Sequence, residues 1–457
     1  MAKVNERMVV LRILEDMDTK NKFLNEVLDD YFFVYEFDKQ QRSFISRLAY
    51  GSVENDLYLD FCINQVSKVK TNKMKKPLRY ILRMALYQLL FMDKVPEHAL
   101  INEAVKLTVK RGYAQLKGFV NGVLRESVRK KDLFLEEVNK LSKTKYFSIR
   151  YSMAEDLVNY LLQQYSENEL EAFLEASSKE RKTCIRSNLL RTSTEELSKN
   201  LKGQIDVEEG HLLEQALYIS GMDRIDKVPG FAEGLFTVQD ESSMLVSVIA
   251  DPKPGMKVLD VCAAPGGKSA YCAERMEDCG QIVSCDVSEG KLNKIRENID
   301  RLGISSIETQ LQDATIYEES YQDGFDVVIA DVPCSGLGIL RSKPDIKKNL
   351  SLEKITSLVE LQEKIIENVS RYVKQGGILL YSTCTINQEE NRNQVKKFLA
   401  LHKEFELLSL QEDPSLSESL KEALQSRFQE GMLQLITDEK LTDGFFIAKM
   451  RKKNDGY

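Results

Sequence analysis

The stretch Val258-Leu-Asp-Val-Cys-Ala-Ala-Pro-Gly-Gly-Lys-Ser269 decides how this chain is read. Val258 to Val261 is a short apolar run, Gly266 and Gly267 permit a tight turn, and Lys268 to Met276 has helical spacing. The same alternation continues downstream. Gln281 to Asp286 precedes Glu289 to Leu302; Ile307 to Leu311 follows; Phe325 to Asp331 precedes Leu352 to Lys374; and Gly377 to Tyr381 precedes Gln388 to Leu401. Strands that alternate with crossover helices predict a doubly wound α/β, Rossmann-like sheet. Its ligands should lie beyond the carboxyl ends of the strands.

Upstream, the pattern changes. From Glu6 to about Arg129 apolar residues recur at helical spacing, as in Leu78, Ile81, Leu82, Ala85, Leu86 and Leu89, which predicts an all-α domain. Polar helical patterns and short mixed segments fill Thr144 to Phe236, without a motif that carries chemistry. The chain therefore reads as a multidomain protein: a helical domain over 1–135, a small α+β intermediate domain over 145–235, and the α/β domain over 236–452.

A chain of 457 residues, 42% of them hydrophobic, has enough apolar side chains for about three such cores. The start mixes Lys3, Glu6, Arg7 and Arg12 into its apolar residues, and no run approaches the roughly 20 apolar residues that span a bilayer. A cytoplasmic protein with no membrane partner is expected. The eight cysteines, at 62, 184, 262, 272, 279, 285, 334 and 384, form no CxxC pair and should be reduced thiols. The three histidines, at 98, 211 and 402, lack metal-site spacing, so no metal is expected.

The net charge of −7 taken alone argues against a polyanionic partner, but it is an average over unlike parts. Up to Lys131 the chain has 24 Lys and Arg against 16 Asp and Glu; the remainder has 40 against 55. Lys68, Lys70, Lys73, Lys75, Lys76, Arg79 and Arg83 lie in a stretch with no acidic residue between Val66 and Met92. A run this one-sided predicts an anion-binding surface of the kind that tracks phosphates, although a solvated charged face would look the same.

The strand ends carry the chemistry. The first turn lacks G-x-G-x-x-G, and Cys262 stands where a Walker A loop needs glycine. A nucleoside cofactor held without a pyrophosphate remains, as S-adenosylmethionine would be. Cys262, Ala263, Ala264, Pro265, Gly266, Gly267 and Lys268 would form its loop. Asp286 would accept hydrogen bonds from ribose hydroxyls, Asp313 would meet an adenine edge, and Asp331 would border the same pocket. The fourth strand ends in Asp331-Val-Pro-Cys-Ser-Gly-Leu-Gly338 and the fifth in Tyr381-Ser-Thr-Cys-Thr385. Two cysteines on adjacent strand ends beside a carboxylate favour a thiolate nucleophile, whereas Cys262, Cys272, Cys279 and Cys285 read as small buried hydrophobes.

These motifs resemble those of RNA 5-methylcytosine methyltransferases of the Fmu/Sun type. The likeness rests on Cys262-Ala-Ala-Pro-Gly-Gly-Lys268, Asp331-Val-Pro-Cys-Ser-Gly336 and Ser382-Thr-Cys-Thr385. It extends to Val238-Gln-Asp-Glu-Ser-Ser243, Lys343-Pro-Asp-Ile346 and Asp443-Gly-Phe-Phe446. The helical domain looks like the NusB-type RNA-binding domain of the small-subunit ribosomal branch. One departure is Lys343, where the family usually has His.

The resemblance implies methylation of cytosine C5 in 16S rRNA, with Cys384 as nucleophile, Cys334 in product release and Asp331 at the cytosine N3. A monomer is expected. In DNA cytosine methyltransferases the Pro-Cys thiol, here Cys334, is the nucleophile, but those enzymes lack a second cysteine where Cys384 stands. Two other readings stay open. One is a tRNA substrate; the other is a non-catalytic RNA-binding or antitermination factor, which would need neither paired cysteines nor a cofactor pocket.

Overall fold

The computed structural model describes residues 5–20, 22–179, 182–437 and 442–454. They fall into two compact units, one of 1–178 with 340–350 and one of 179–339 with 351–457.

The first unit is helical: α1 (Glu6–Lys20), α2 (Leu24–Val34), α3 (Lys39–Glu54), α4 (Asp56–Val66), α5 (Lys76–Phe91), α6 (Glu97–Lys110), α7 (Lys117–Lys130), α8 (Phe134–Asn139), α9 (Lys143–Tyr151), α10 (Glu155–Leu162) and α11 (Glu167–Ser177). Local chemistry sets several of the starts. Asp38 accepts a hydrogen bond from Gln41 N ahead of α3, Ser166 does the same for Glu169 N ahead of α11, and Pro77 stands in the first turn of α5. Residues at helical spacing, among them Leu11, Leu14, Leu48, Leu59, Leu82, Leu86 and Leu124, share one core.

Segment 340–350, with the short helix α16 (Ile346–Asn349), belongs to this unit. Asp345, 1% exposed, accepts from Leu24 N at 3.0 Å. The buried Lys347 ammonium donates to the carbonyls of Tyr151 (2.9 Å) and Glu54 (3.4 Å), where α9 and α3 end. Lys343 stands over the Phe23 ring at 5.9 Å. The Lys343-Pro-Asp-Ile346 motif is thus an anchor of the helical unit.

The second unit begins with a four-stranded antiparallel sheet in the order β2-β3-β1-β4, formed by β1 (Thr183–Ser187), β2 (Asp206–Glu209), β3 (Ala216–Ser220) and β4 (Phe236–Val238), with α12 (Thr194–Leu201) between β1 and β2. The stretch expected as an intermediate domain, 145–235, is therefore shared: its helices up to α11 lie in the first unit, and α12 with the strands in the second.

After α13 (Glu241–Ala250) comes the large sheet, with β5 (Lys257–Asp260), α14 (Gly267–Arg275), β6 (Gln281–Asp286), α15 (Glu289–Leu302), β7 (Ile307–Leu311), β8 (Phe325–Asp331), α17 (Leu352–Val369), β9 (Val373–Thr383) and α18 (Arg392–Leu401). Strands β7-β6-β5-β8-β9 are parallel, and the order reverses at β5, which creates a crevice at its carboxyl end. β8 is buried on both faces, as a central parallel strand should be.

The sheet is not wholly parallel. β10 (Phe405–Leu408), β11 (Phe428–Gln429), β12 (Met432–Leu435) and β13 (Phe445–Lys452), with α19 (Glu418–Ala423), add an antiparallel edge in which β13 pairs with β9. The expected helix over Leu352 to Lys374 stops at Val369, and β9 starts at Val373 rather than Gly377. Pairing of Phe325 with Val373 recruits the earlier residues into the ladder, a tertiary contact invisible to periodicity.

Candidate active site

At the end of β5 the chain turns through Ala263 to Gly267. Gly266 has φ +96°, and a Cβ there would lie 3.0 Å from Ile295 Cγ2, so both conformation and space call for glycine. Its N–H donates to Ala263 O at 2.6 Å, and α14 starts at Gly267. Asp260 behind this turn is wholly buried; burial pushes its carboxyl up to about 6, against the hydrogen bond from Ser269 Oγ at 2.7 Å.

Asp286 ends β6 at the crevice. Its Oδ1 accepts from Val287 N at 2.8 Å and pairs with Lys291 at 3.0 Å; its Oδ2 has only a long contact, 3.4 Å, from Ala264 N. Asp313 is exposed after β7, and one of its oxygens is committed to a local turn, accepting from Thr315 N at 2.9 Å and Thr315 Oγ1 at 2.7 Å.

Asp331 ends β8. Its Oδ1 accepts from Ser382 Oγ at 2.7 Å, and its Oδ2 accepts from Lys268 Nζ at 2.6 Å. Lys268, expected among the cofactor contacts, thus places its ammonium on Asp331. Burial pulls the Lys268 pKa down, but the charge and hydrogen bond of Asp331 overcome that and leave it raised, with Asp260 and Cys384 adding to the effect.

Cys334 and Cys384 meet at an Sγ–Sγ distance of 3.2 Å. The hydrogen bond with Cys384, burial, and the negative charges of Cys384 and Glu390 raise the Cys334 thiol well above the ordinary cysteine range. Either sulfur can donate in this contact. The other cysteines divide. Burial pushes Cys272 and Cys285 up to about 12 and raises Cys262 as well, in keeping with inert thiols. Cys279 is exposed, so its reading as a buried hydrophobe is corrected. Among the described residues no group of three or more His, Cys, Asp and Glu could hold a metal ion.

Sequence reasoning missed the residues that brace the site. Arg186 on β1 is fully buried; its guanidinium donates to Gln239 Oε1 and Glu274 Oε1, each at 2.6 Å, and to Gly267 O at 3.3 Å, and it stacks on Tyr271. Glu241, in the Val238 to Ser243 motif, accepts from the N–H groups of His211, Leu212 and Leu213 and from Tyr218 Oη. In the Asp443-Gly-Phe-Phe446 motif, Gly444 N donates to Gly338 O at 2.9 Å, while Gly338 N donates to Cys384 O at 3.0 Å. Alanine at Gly338 would put its Cβ 1.9 Å from Gly444 O.

The basic run divides as well. Lys68, Lys70, Lys73, Lys75 and Lys76 are exposed, although Lys76 pairs with Asp18 at 2.9 Å. Lys75 stands over the Tyr113 ring at 5.4 Å. Arg83 is 5% exposed, and its Nε and Nη2 both bond Asp60 at 2.8 Å; Arg79 also bonds Asp60. The expectation that Arg83 faces RNA is corrected: Asp60 and Asp56 on α4 take up its charge inside the helical unit, while Arg79 bonds Asp60 with its side chain 30% exposed. Among the described residues no helix is long and apolar enough to cross a membrane.

Known proteins share both parts of this chain. A family described as 16S rRNA methyltransferase RsmB/F matches residues 247–451, and the NusB family matches residues 4–129. A protein of Bacillus subtilis named probable ribosomal RNA small subunit methyltransferase B is 34% identical over 99% of this chain and 100% of its own. Ribosomal RNA small subunit methyltransferase B of Serratia proteamaculans is 30% identical over 90% and 91%. Among solved structures, PH0851 has a TM-score of 0.79 at 25% identity, covering 98% of this chain and 99% of that one. A methyltransferase homolog protein from Pyrococcus horikoshii has a TM-score of 0.56 at 29% identity, covering 68% and 100%. With relatives this similar along the whole chain and both family regions matched, the chain belongs to the ribosomal RNA small subunit methyltransferase B family.

Proposed function

We propose that this chain methylates C5 of a cytosine in small-subunit (16S) ribosomal RNA, with S-adenosylmethionine as donor and a transient bond between Cys384 and cytosine C6. The observation that carries this reading is the contact of two thiols, 3.2 Å apart, beside a carboxylate already paired to an ammonium. The ribosomal substrate follows the names of the relatives.

The β5–α14 turn fits a nucleoside cofactor. A Cβ at Gly266 would close on Ile295, and Asp286 keeps lone pairs on Oδ2 for ribose hydroxyls. The donor supplies an electrophilic methyl group. The residues of this chain make C5 able to accept it. Cytosine C5 is a poor nucleophile until a thiolate adds to C6 and pushes electron density towards C5. Cys384 makes that bond, the role that the likeness of Ser382-Thr-Cys-Thr385 to the family motif implies, with Cys334 against its sulfur. Charge then develops at N3. Both Asp331 oxygens already accept a hydrogen bond, so the carboxylate acts as acceptor and aligner, and Lys268 is the adjoining group with a proton to share. After transfer a base takes the C5 proton, the C5–H electron pair re-forms the C5–C6 double bond, and the electron pair of the C6–S bond returns to Cys384. Cys334, in contact with that sulfur, is assigned to this release.

Single-turnover methylation of unmodified 16S rRNA, with tRNA in parallel, tests the proposal. Cys384→Ser should abolish transfer, and Cys334→Ala should accumulate an RNA-linked species that migrates slowly on a denaturing gel. Normal transfer by Cys384→Ser would overturn the nucleophile assignment, and label on tRNA alone would overturn the ribosomal one.

A further inference from the structure

The two thiols stand on different loops, which touch through the Cys384 carbonyl, an acceptor from Gly338 N at 3.0 Å, and through the side chains that flank the cysteines. The loop after β8 carries Cys334 and the loop after β9 carries Cys384. Glu390, six residues beyond Cys384 on the same loop, is a fully buried carboxylate that, among the described residues, has no cation as a hydrogen-bond partner. A bare carboxylate at such a position is costly unless donors replace water on its lone pairs. Four donors do so. Oε1 accepts from Ser335 N at 2.7 Å and Gln362 Nε2 at 3.0 Å; Oε2 accepts from Ser335 Oγ at 2.5 Å and Asn387 Nδ2 at 2.9 Å.

Each donor bears on one thiol loop. Ser335 follows Cys334, and Gln362, from α17, also donates to Pro333 O at 2.9 Å, so both neighbours of Cys334 are held. Asn387 lies three residues beyond Cys384. Thr385, next to Cys384, meets Ser335 Oγ at 2.7 Å, and the adjoining Asn391 donates to Thr385 O at 3.0 Å. The backbone carbonyl of Glu390 in turn accepts from Tyr381 Oη on β9 at 2.7 Å, fixing the carboxylate to the sheet. We propose that Glu390 is the positioning residue that holds Cys334 and Cys384 in contact, by binding the loop that follows each. A fully satisfied buried network is rigid, and rigidity is what a two-thiol reaction needs from groups on separate strands. This inference rests on the reading of the two cysteines as the reacting pair, but its geometric half is testable without RNA.

The probe is diamide, which takes two electrons and two protons from a pair of neighbouring thiols, is reduced to the hydrazine, and leaves a sulfur–sulfur bond. The bridge forms only when the sulfurs can close from contact to bonding distance. In the full-length chain the Cys334–Cys384 bridge, mapped by peptide mass spectrometry, should form at least about ten-fold faster than in Glu390→Ala, where Ser335 and Asn387 lose their common partner. Glu390→Gln keeps one acceptor oxygen and should lie between the two. In methylation assays Glu390→Ala should lower kcat by about 10²-fold, while KM for S-adenosylmethionine stays within about two-fold, because the cofactor turn lies on β5 and β6. A merely structural carboxylate would not give that split.

Cooperative melting by circular dichroism checks the fold. If Glu390→Ala does not fold, Ser335→Ala, which removes the link to Thr385 and one donor to Glu390, carries the comparison. Bridging at the wild-type rate in the folded variants overturns the proposal, as does failure of the wild type to bridge at all. If Cys384→Ser retained methyl transfer while bridging still depended on Glu390, the nucleophile assignment would fall and the positioning role would stand.

Discussion

Lys268→Met separates two roles that one residue could have. Its place in the Cys262 to Lys268 loop suggests a cofactor contact, whereas its ammonium lies 2.6 Å from Asp331 Oδ2, with the two side chains 16% and 22% exposed. Methionine keeps most of the aliphatic stem and its packing, and removes the charge. Asp331 keeps the Ser382 hydroxyl but loses its charged partner. A hydrogen bond between charged groups contributes about 1.5–3 kcal/mol. If that interaction supports charge developing at the cytosine, kcat should fall by about 10- to 160-fold. KM for S-adenosylmethionine should change by less than about three-fold, since Gly266 and Asp286 are untouched. Initial rates over a range of cofactor concentrations, at saturating 16S rRNA, give both constants. A ten-fold rise in KM with kcat intact would refute the reasoning and return Lys268 to the cofactor.

Arg83→Met should destabilise the chain by about 1.5–3 kcal/mol, measured by denaturant melts, because Asp56 loses its cation and Asp60 keeps only Arg79. Replacing Lys68, Lys70, Lys73 and Lys75 with glutamine should leave melting nearly unchanged but weaken RNA binding, lowering the slope of log K against log salt by roughly 0.7–0.9 for each phosphate that is no longer neutralised. Gly338→Ala should cost about 1–3 kcal/mol or more and impair methyl transfer, since its Cβ meets the Gly444 carbonyl beside Cys384; wild-type melting would contradict the close approach. His402 bonds Glu404 and Glu367; burial lowers its pKa, but the two carboxylates prevail and raise it. That stabilisation is fully present below the unfolded value near 6.5 and is lost as pH rises through the higher folded value, so His402→Gln should remove a small pH-dependent part of the melting temperature, below about 1 kcal/mol.

The chain by itself determined the α/β alternation, the helical start, and the strand ends where Asp286, Asp331, Cys334 and Cys384 stand. Period and spacing are local properties, and a parallel sheet turns them directly into a row of residues at one edge. The antiparallel β10 to β13 were not legible, since strands at a sheet edge are fixed by what they pair with. β13 exists through its ladder to β9.

Charge was the least legible property. In the sequence Lys68 to Arg83 form one basic run, yet Arg83 is turned inward to Asp60 on α4 while Lys68 and Lys73 stay in solvent. Position in the chain does not reveal the sign of the charge across a helix interface. The same holds at the site: Lys268 lies 63 residues from Asp331, and Cys334 lies 50 from Cys384. The sequence named these groups, and only the packed sheet brought the ammonium onto the carboxylate, the two sulfurs into contact, and Glu390 onto the loop that carries Cys334, because hydrogen bonds and charge act over ångströms and not along the chain.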